Sequence, residues 1–447
     1  FGRKRMMITG LAIFAAGSVM GALATNPDVL IAARVIMGLG AAASEPGTLS
    51  VIRHLYPDGA DRARALGAWA AVSGLALALG PVIGGTLVGA GGWSAVFWFN
   101  VAAAVVFIAM AAKGVPESAD PEQVPLDVRG FVTGAAGLAA LTFAIILGET
   151  DGYEATDVVA LFAGGALLLG AFAWCELRAR SPMLELRYLR SGPFSVSLTV
   201  VFVLFFGVFS IFFFTALYLY EVAGFSGYRV ALEFVPMTAG IIGAAALAGR
   251  QVAIGGPRLP MTVGCALAGV GVVLTELLLN GGRPSSWVMA TLAMAGVGFG
   301  ASVVPVTAVA LETVPARHSG MAASATNTSR ELGAVFGVAV LGSVVNAHLT
   351  SDLVARLRHL GVPSNLFSLI VNGVETGQVP SGVTNASSEY AKVINAAYDA
   401  FRSGLDVALL ASGAGMLAAA VLAALTLGRA GAPALGMHGP TPGGQSL

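Results

Sequence analysis

Apolar residues run along this chain in blocks of about twenty, with the charges gathered in short stretches between them. A membrane-crossing helix needs about 20 such residues. Twelve blocks qualify: 6–25, 29–51, 67–89, 94–112, 130–148, 157–176, 194–219, 230–249, 261–279, 287–311, 322–346 and 404–427. They are too long for barrel strands and do not alternate apolar with polar. Several are rich in Gly and Ala, the composition of helices that pack closely in lipid. The pattern predicts an all-α membrane protein. The long connection 347–403 carries Gly, Pro, Ser and Asn and predicts mixed short helix and coil. The Gly- and Pro-rich stretch 428–447 predicts a disordered tail.

Charge orients these blocks. Of the 24 Lys and Arg, sixteen fall in connections on the side of the N-terminus, whereas the short connections opposite hold only Arg229 and Arg283. The positive-inside rule then puts both termini in the cytoplasm of a multi-pass protein of the inner (plasma) membrane. Composition agrees: 56% of residues are hydrophobic and 11% charged, against about 25% charged in soluble domains. A net charge of zero gives no reason to expect nucleic acid as a partner. Cys175 and Cys265 both lie in apolar segments, so neither a disulfide nor a metal site is expected.

The chain repeats itself, as transporters often do. "GRKRMMITGLAIFAAGSV" from Gly2 aligns without gaps to "GPRLPMTVGCALAGVGVV" from Gly256, pairing Gly10 with Gly264 and Gly17 with Gly271. In the next helices "GLGAAAS" at 38–44 aligns with "GVGFGAS" at 296–302, and Pro57 with Pro315. Two matches in the same order imply two copies of one helical bundle.

One segment is odd. "SGLALALGPVIGG", 73–85, holds Gly74, Gly80, Pro81, Gly84 and Gly85 inside an apolar helix. The proline bends such a helix, and glycines four and six apart let a neighbouring backbone come close. The segment matches the fifth-helix antiporter motif G-x-x-x-x-x-G-P-x-x-G-G of the major facilitator superfamily. Other stretches resemble the same family. "FGRKRMM", with Gly2, Arg3 and Lys4, is similar to the end of its basic loop signature G-x-L-x-D-R-x-G-R-K. "LIAARVIMGLGAAASEPGTLSVI" is similar to its fourth-helix motif, with Arg34 at the buried arginine. "GGWSAVFWFNV" resembles the entry to its sixth helix. "SGMAASATNTSRELGAVFGVAVLGSV" resembles the thirteenth helix of the fourteen-helix drug:proton antiporter branch.

The resemblance implies the major facilitator fold, two pseudo-repeated six-helix bundles with two inserted helices. The basic loop normally follows helix two and here comes first, so the twelve visible spans are read as twelve of fourteen, beginning at helix three. On this reading 1–112 is the rest of the N-terminal bundle (helices 3–6) and 113–192 holds the two inserted linker helices (7–8). The C-terminal bundle (helices 9–14) is 193–427, with the outer loop 347–403, and 428–447 is a cytoplasmic tail.

Ionisable groups at membrane depth are functional candidates. The resemblance implies that Arg34 serves proton transfer or organises a polar cluster. Glu45 stands in "GAAASEPG", roughly 12 Å inside the cytoplasmic end of its helix, and its repeat partner Val303 is apolar. It is a candidate proton carrier, a cation-attracting group or a structural acid. Arg330 and Glu331, with Asn327, belong either to a substrate cavity or to a local structural pair. Glu233 and Glu276, near the outer ends of their spans, are expected to snorkel to water. Asp127 and Arg129 read as a solvated helix end. In "FVLFFGVFSIFFFTALYLY", Phe205, Phe209 and Phe212 or Phe213 share a face. That face is fit either to stack on flat or cationic compounds or to pack against lipid.

No phosphate-binding loop exists, since Lys4, Lys113 and Lys392 are the only lysines and none stands in that setting. ATP hydrolysis is therefore excluded and an ion gradient remains. No metalloprotease motif or nucleophile elbow is found, so the chain reads as no enzyme, with no cofactor and no metal. The expected function is proton-driven export of small amphipathic or cationic compounds by a monomer working through alternating access, with small-molecule substrate, protons and lipid bilayer as its partners. An exporter or importer of one metabolite, and a membrane sensor without transport, are the alternatives.

Overall fold

A computed structural model describes residues 2–55, 65, 72, 75–76, 79–80, 82–117, 127–179, 182–280, 285–315, 318–375 and 389–427. Among them regular structure is helical throughout: α1 (Arg3–Ala22), α2 (Pro27–Leu55), α3 (Val82–Gly91), α4 (Ser94–Gly114), α5 (Val128–Asp151), α6 (Thr156–Arg178), α7 (Gly192–Leu217), α8 (Gly227–Gly255), α9 (Arg258–Asn280), α10 (Ser285–Glu312), α11 (Ser319–His359), α12 (Phe367–Glu375) and α13 (Glu389–Leu427). Eleven of these helices are long and apolar enough to cross a membrane, and α3 is a shorter apolar helix that overlaps the end of the remaining expected span, 67–89.

Local chemistry sets several ends. Asn26 accepts the Val29 N–H at 2.9 Å, and Pro27 follows it as the first helical residue of α2. Asp127 caps α5 by accepting the Gly130 N–H at 2.8 Å, so this acid is a helix cap as well as a helix end. Buried Glu176 of α6 accepts the Leu184 N–H at 3.1 Å and ties the pair α5–α6 to the segment leading into α7.

The repeat is visible as one helix contact made twice. A Cβ on Gly10 would lie 2.6 Å from the Gly40 carbonyl oxygen, and one on Gly264 would lie 2.7 Å from the Gly298 carbonyl oxygen. One turn or two along, Gly17 meets the Met37 N–H and Gly271 the Ala295 N–H, at 2.8 and 2.5 Å from the would-be Cβ. The aligned residues therefore perform the same packing in α1–α2 and in α9–α10. Small residues permit this approach, and van der Waals contact holds it in lipid.

The largest core joins α7, α8, α9, α10, α11 and α13, with Phe234, Phe299 and Met261 among its fully buried side chains. The segment 347–403 differs from its expectation. Its first part continues α11 to His359, its last part is the start of α13, and α12 lies between. Leu349, Leu353 and Leu357 repeat every fourth residue and are buried against Val371, Ala396, Ala397 and Ala400. That spacing makes one apolar helix face. The Gly, Pro and Ser that suggested coil stand mainly in the middle of the segment. An Arg356–Asp399 ion pair at 3.1 Å joins the two long helices across this cap.

Candidate functional site

The first candidate is the contact between α3 and α8. A Cβ on Gly85 would lie 2.7 Å from the Gly227 carbonyl oxygen, and one on Gly227 would lie 2.8 Å from the Gly85 carbonyl oxygen. Gly89 lies under the ring of Tyr228, 2.8 Å from its would-be Cβ. The segment thus touches the second half of the chain backbone to backbone. The glycines divide unequally: for Gly80 and Gly84 no atom of the described residues lies within 4 Å of a Cβ. Gly74 and Pro81 lie outside the described residues.

The second candidate is the face shared by α7 and α11. Phe205 stacks on Phe209 with ring centroids 5.9 Å apart and meets Phe299 of α10 edge-on at 5.1 Å. The Arg330 guanidinium stands 5.6 Å from the Phe205 ring. It donates through Nε to Glu331 Oε1 at 3.3 Å and through Nη2 to Asn327 Oδ1. Asn327, Arg330 and Glu331 are adjacent on the helix surface because they stand three and four apart. Phe212 points elsewhere: its ring packs 5.3 Å from Phe234 of α8. The Arg330 side chain is 24% exposed and that of Glu331 59%. Glu331 opens on a cleft of about 540 Å³ whose other walls include Phe209, Phe213 and Ile146 of α5. A carboxylate beside exposed aromatic faces suits an aromatic cation, by charge and by ring stacking.

The remaining candidates are dispersed. Arg34 is exposed on α2 with no hydrogen bond or ion pair to another described residue. Glu45 lies on α2, and its side chain is outside the described part of the chain. The basic start of α1 grips the far end of α4: Lys4 Nζ donates to the Ala112 carbonyl at 2.7 Å, the Lys4 N–H to Glu117 Oε1 at 3.3 Å, and Arg5 pairs with Glu117 at 3.6 Å. A cation at a helix C-terminus is favoured by the helix dipole. Gly2 leaves room for the Glu117 carboxyl carbon, which would stand 2.7 Å from a Cβ there.

The sequence profile of the family described as Major Facilitator Superfamily matches residues 1–338. The chain belongs to the major facilitator superfamily. Relatives of this facilitator include the multidrug resistance protein Stp of Mycobacterium tuberculosis, 29% identical over 92% of this chain and 77% of Stp. The methylenomycin A resistance protein of Bacillus subtilis is 32% identical over 78% of this chain and 75% of its own length. The drug efflux pump JefA of M. tuberculosis is 32% identical over 79% and 69%. Solved structures share the fold: an auto-inhibited peptide transporter of the POT family (TM-score 0.56, 17% identity, 96% of this chain and 83% of that one) and an inward-facing bacterial homologue of the lysosomal transporter Spinster (TM-score 0.52, 18% identity, 94% and 82%). The resemblance read from the motifs holds at the level of family, and the relatives it reaches are drug efflux and resistance proteins.

This facilitator also holds a cluster that the motifs did not reveal. Glu233 and Glu276 do not snorkel: they are 5% and 3% exposed. The reason for Glu276 is register. Gly269 of α9 and Gly413 of α13 approach each other reciprocally, 2.8 and 3.0 Å from Cβ to carbonyl oxygen. Two turns further out on each antiparallel helix stand Glu276 and Asp406, and Asp406 feels the charges of both Glu276 and Arg402. Arg402 Nη2 donates to the Leu279 carbonyl of α9. Counting back seven residues from Gly413 was the available signal, but the pairing of Gly269 with Gly413 is a tertiary fact.

Proposed function

We propose that this facilitator is a proton-driven antiporter that exports small amphipathic or cationic compounds, drugs among them, from the cytoplasm by alternating access. The observation that carries the proposal is the α7–α11 face, where Glu331 opens on a cleft lined by Phe209 and Phe213. An organic cation would lay its ring on those faces and its charge by the carboxylate, and Arg330, held by Asn327, would keep Glu331 in place. The names of the relatives support export of this kind of compound. Arg34 and Glu45 are the proton-coupling candidates, on the resemblance and on the cost of an acid at that depth. The Gly85–Gly227 contact supports a role for the 73–85 segment where the halves must part and rejoin. Both termini are cytoplasmic in this reading, and the protein acts as a monomer in the plasma membrane.

The test is efflux of ethidium from cells carrying the protein, with and without a protonophore. Energy-dependent efflux that the protonophore abolishes is the expected result. Efflux of a single metabolite and of no dye would favour a dedicated exporter. Movement of nothing under any gradient would end the reading. Glu45→Gln is then expected to lose uphill efflux while retaining downhill exchange.

A further inference from the structure

The helical cap built by α11, α12 and α13 covers a second cavity. It measures about 1380 Å³ and lies beyond the Glu331 cleft, between the ends of α5 and α7 and the underside of the cap. Phe213, Phe214 and Gly342 line both spaces and form the wall between them. They are separate places. Along α11, Glu331 and the cavity residue Asn346 are about 22 Å apart at 1.5 Å per residue.

The lining has a definite chemistry. Phe213 and Phe214 form the wall on the α7 side, and Phe367, Tyr398 and Phe401 come from the cap. Among the described residues around it there is one acid, Glu221, and no Lys, Arg or His. Glu221 is carried on a π-turn, Tyr218–Val222, where the Ala223 N–H reaches back five residues to the Tyr218 carbonyl at 3.0 Å. A π-turn inserts a residue and re-aims the side chains around it, and such turns concentrate at functional positions. Tyr153, between the inserted helices, closes the cavity on the α5 side through its hydroxyl contact with Ser343 of α11.

We infer that this capped vestibule is a second binding site, which takes an aromatic organic cation between the rings of the cap and α7 with Glu221 as its counter-charge. A single acid among aromatic rings attracts a cation and offers nothing to an anion. The site goes beyond the export reading and does not depend on it, because binding can be measured without transport.

The test uses the full chain in nanodiscs, with Cys175 and Cys265 replaced by serine and Ser368→Cys introduced on the cap helix α12, where it lines the vestibule. Labelling by N-ethylmaleimide is timed with and without tetraphenylphosphonium. Tetraphenylphosphonium, at about ten times its Kd, is expected to slow labelling about tenfold. Tetraphenylborate, the anion of the same shape, leaves the rate unchanged. Glu221→Gln removes the protection, Glu221→Asp keeps it, and Glu331→Gln keeps it. The inference is overturned by absence of protection, by equal protection from the anion, or by loss of protection in Glu331→Gln, which would mean a single site. Protection without any ethidium efflux would end the export reading and leave the vestibule standing.

Discussion

Gly85 and Gly227 face each other with no side chain between them, each 2.7–2.8 Å from the other's carbonyl oxygen once a Cβ is built. Gly84, one residue earlier in the same motif, meets none of the described residues within 4 Å. Gly85→Leu is therefore expected to separate α3 from α8 and to reduce dye efflux at least about tenfold, while Gly84→Leu transports at near the parent rate. Efflux normalised to the amount of protein in the membrane checks both. Equal loss in the two variants would remove the contact as the cause.

The twice-used helix contact predicts opposite signs for one substitution. Gly10→Ala and Gly264→Ala each push a methyl group into a backbone carbonyl and are expected to cost about 1–3 kcal/mol. Gly38→Ala meets nothing within 4 Å and gains up to about 1 kcal/mol from helix propensity. Thermal unfolding of the detergent-solubilised protein reads the first two as lower melting temperatures and the third as unchanged or higher.

Arg330 reaches three groups at once, the Phe205 ring, Asn327 and Glu331. Lysine keeps the charge but not the planar fork, so Arg330→Lys is expected to lower efflux of cationic and neutral dyes alike. Glu331→Gln leaves the guanidinium in place and removes only the negative charge. It is expected to weaken export of ethidium and to spare a neutral dye. Side-by-side efflux of the two dyes separates these outcomes.

Asp406 lies in the field of both Arg402 and Glu276 at the α9–α13 interface, where Arg402 also donates to the Leu279 carbonyl. Arg402→Met leaves Glu276 and Asp406 buried or half-buried together without their cation, a change expected to cost about 3–5 kcal/mol. Adding Asp406→Asn removes one of the two charges and is expected to recover part of that loss. A double-mutant cycle on the melting temperature measures the coupling. Additive effects would show that the three groups do not act together.

The sequence by itself determined the class of the protein, most of its spans, its repeat and its family. Each of these is a property of the chain read locally. Lipid demands about twenty apolar residues in a helix whatever its neighbours do, so 6–25 or 261–279 could be recognised without knowing what they touch. Gly10 with Gly264 and Gly40 with Gly298 could be aligned because the same contact had to be made twice. Only the tertiary structure decided which member of a motif carries the contact and which acids are sheltered. A helix turns by about 100° per residue, so Gly84 and Gly85 look the same in the motif and point apart in space. The same rotation buries Glu276 against α13, turns Phe212 from Phe205 toward Phe234, and joins Leu349, Leu353 and Leu357 into the face on which the cap folds. That rotation is set by how neighbouring helices pack, and hydropathy along one helix carries no record of it.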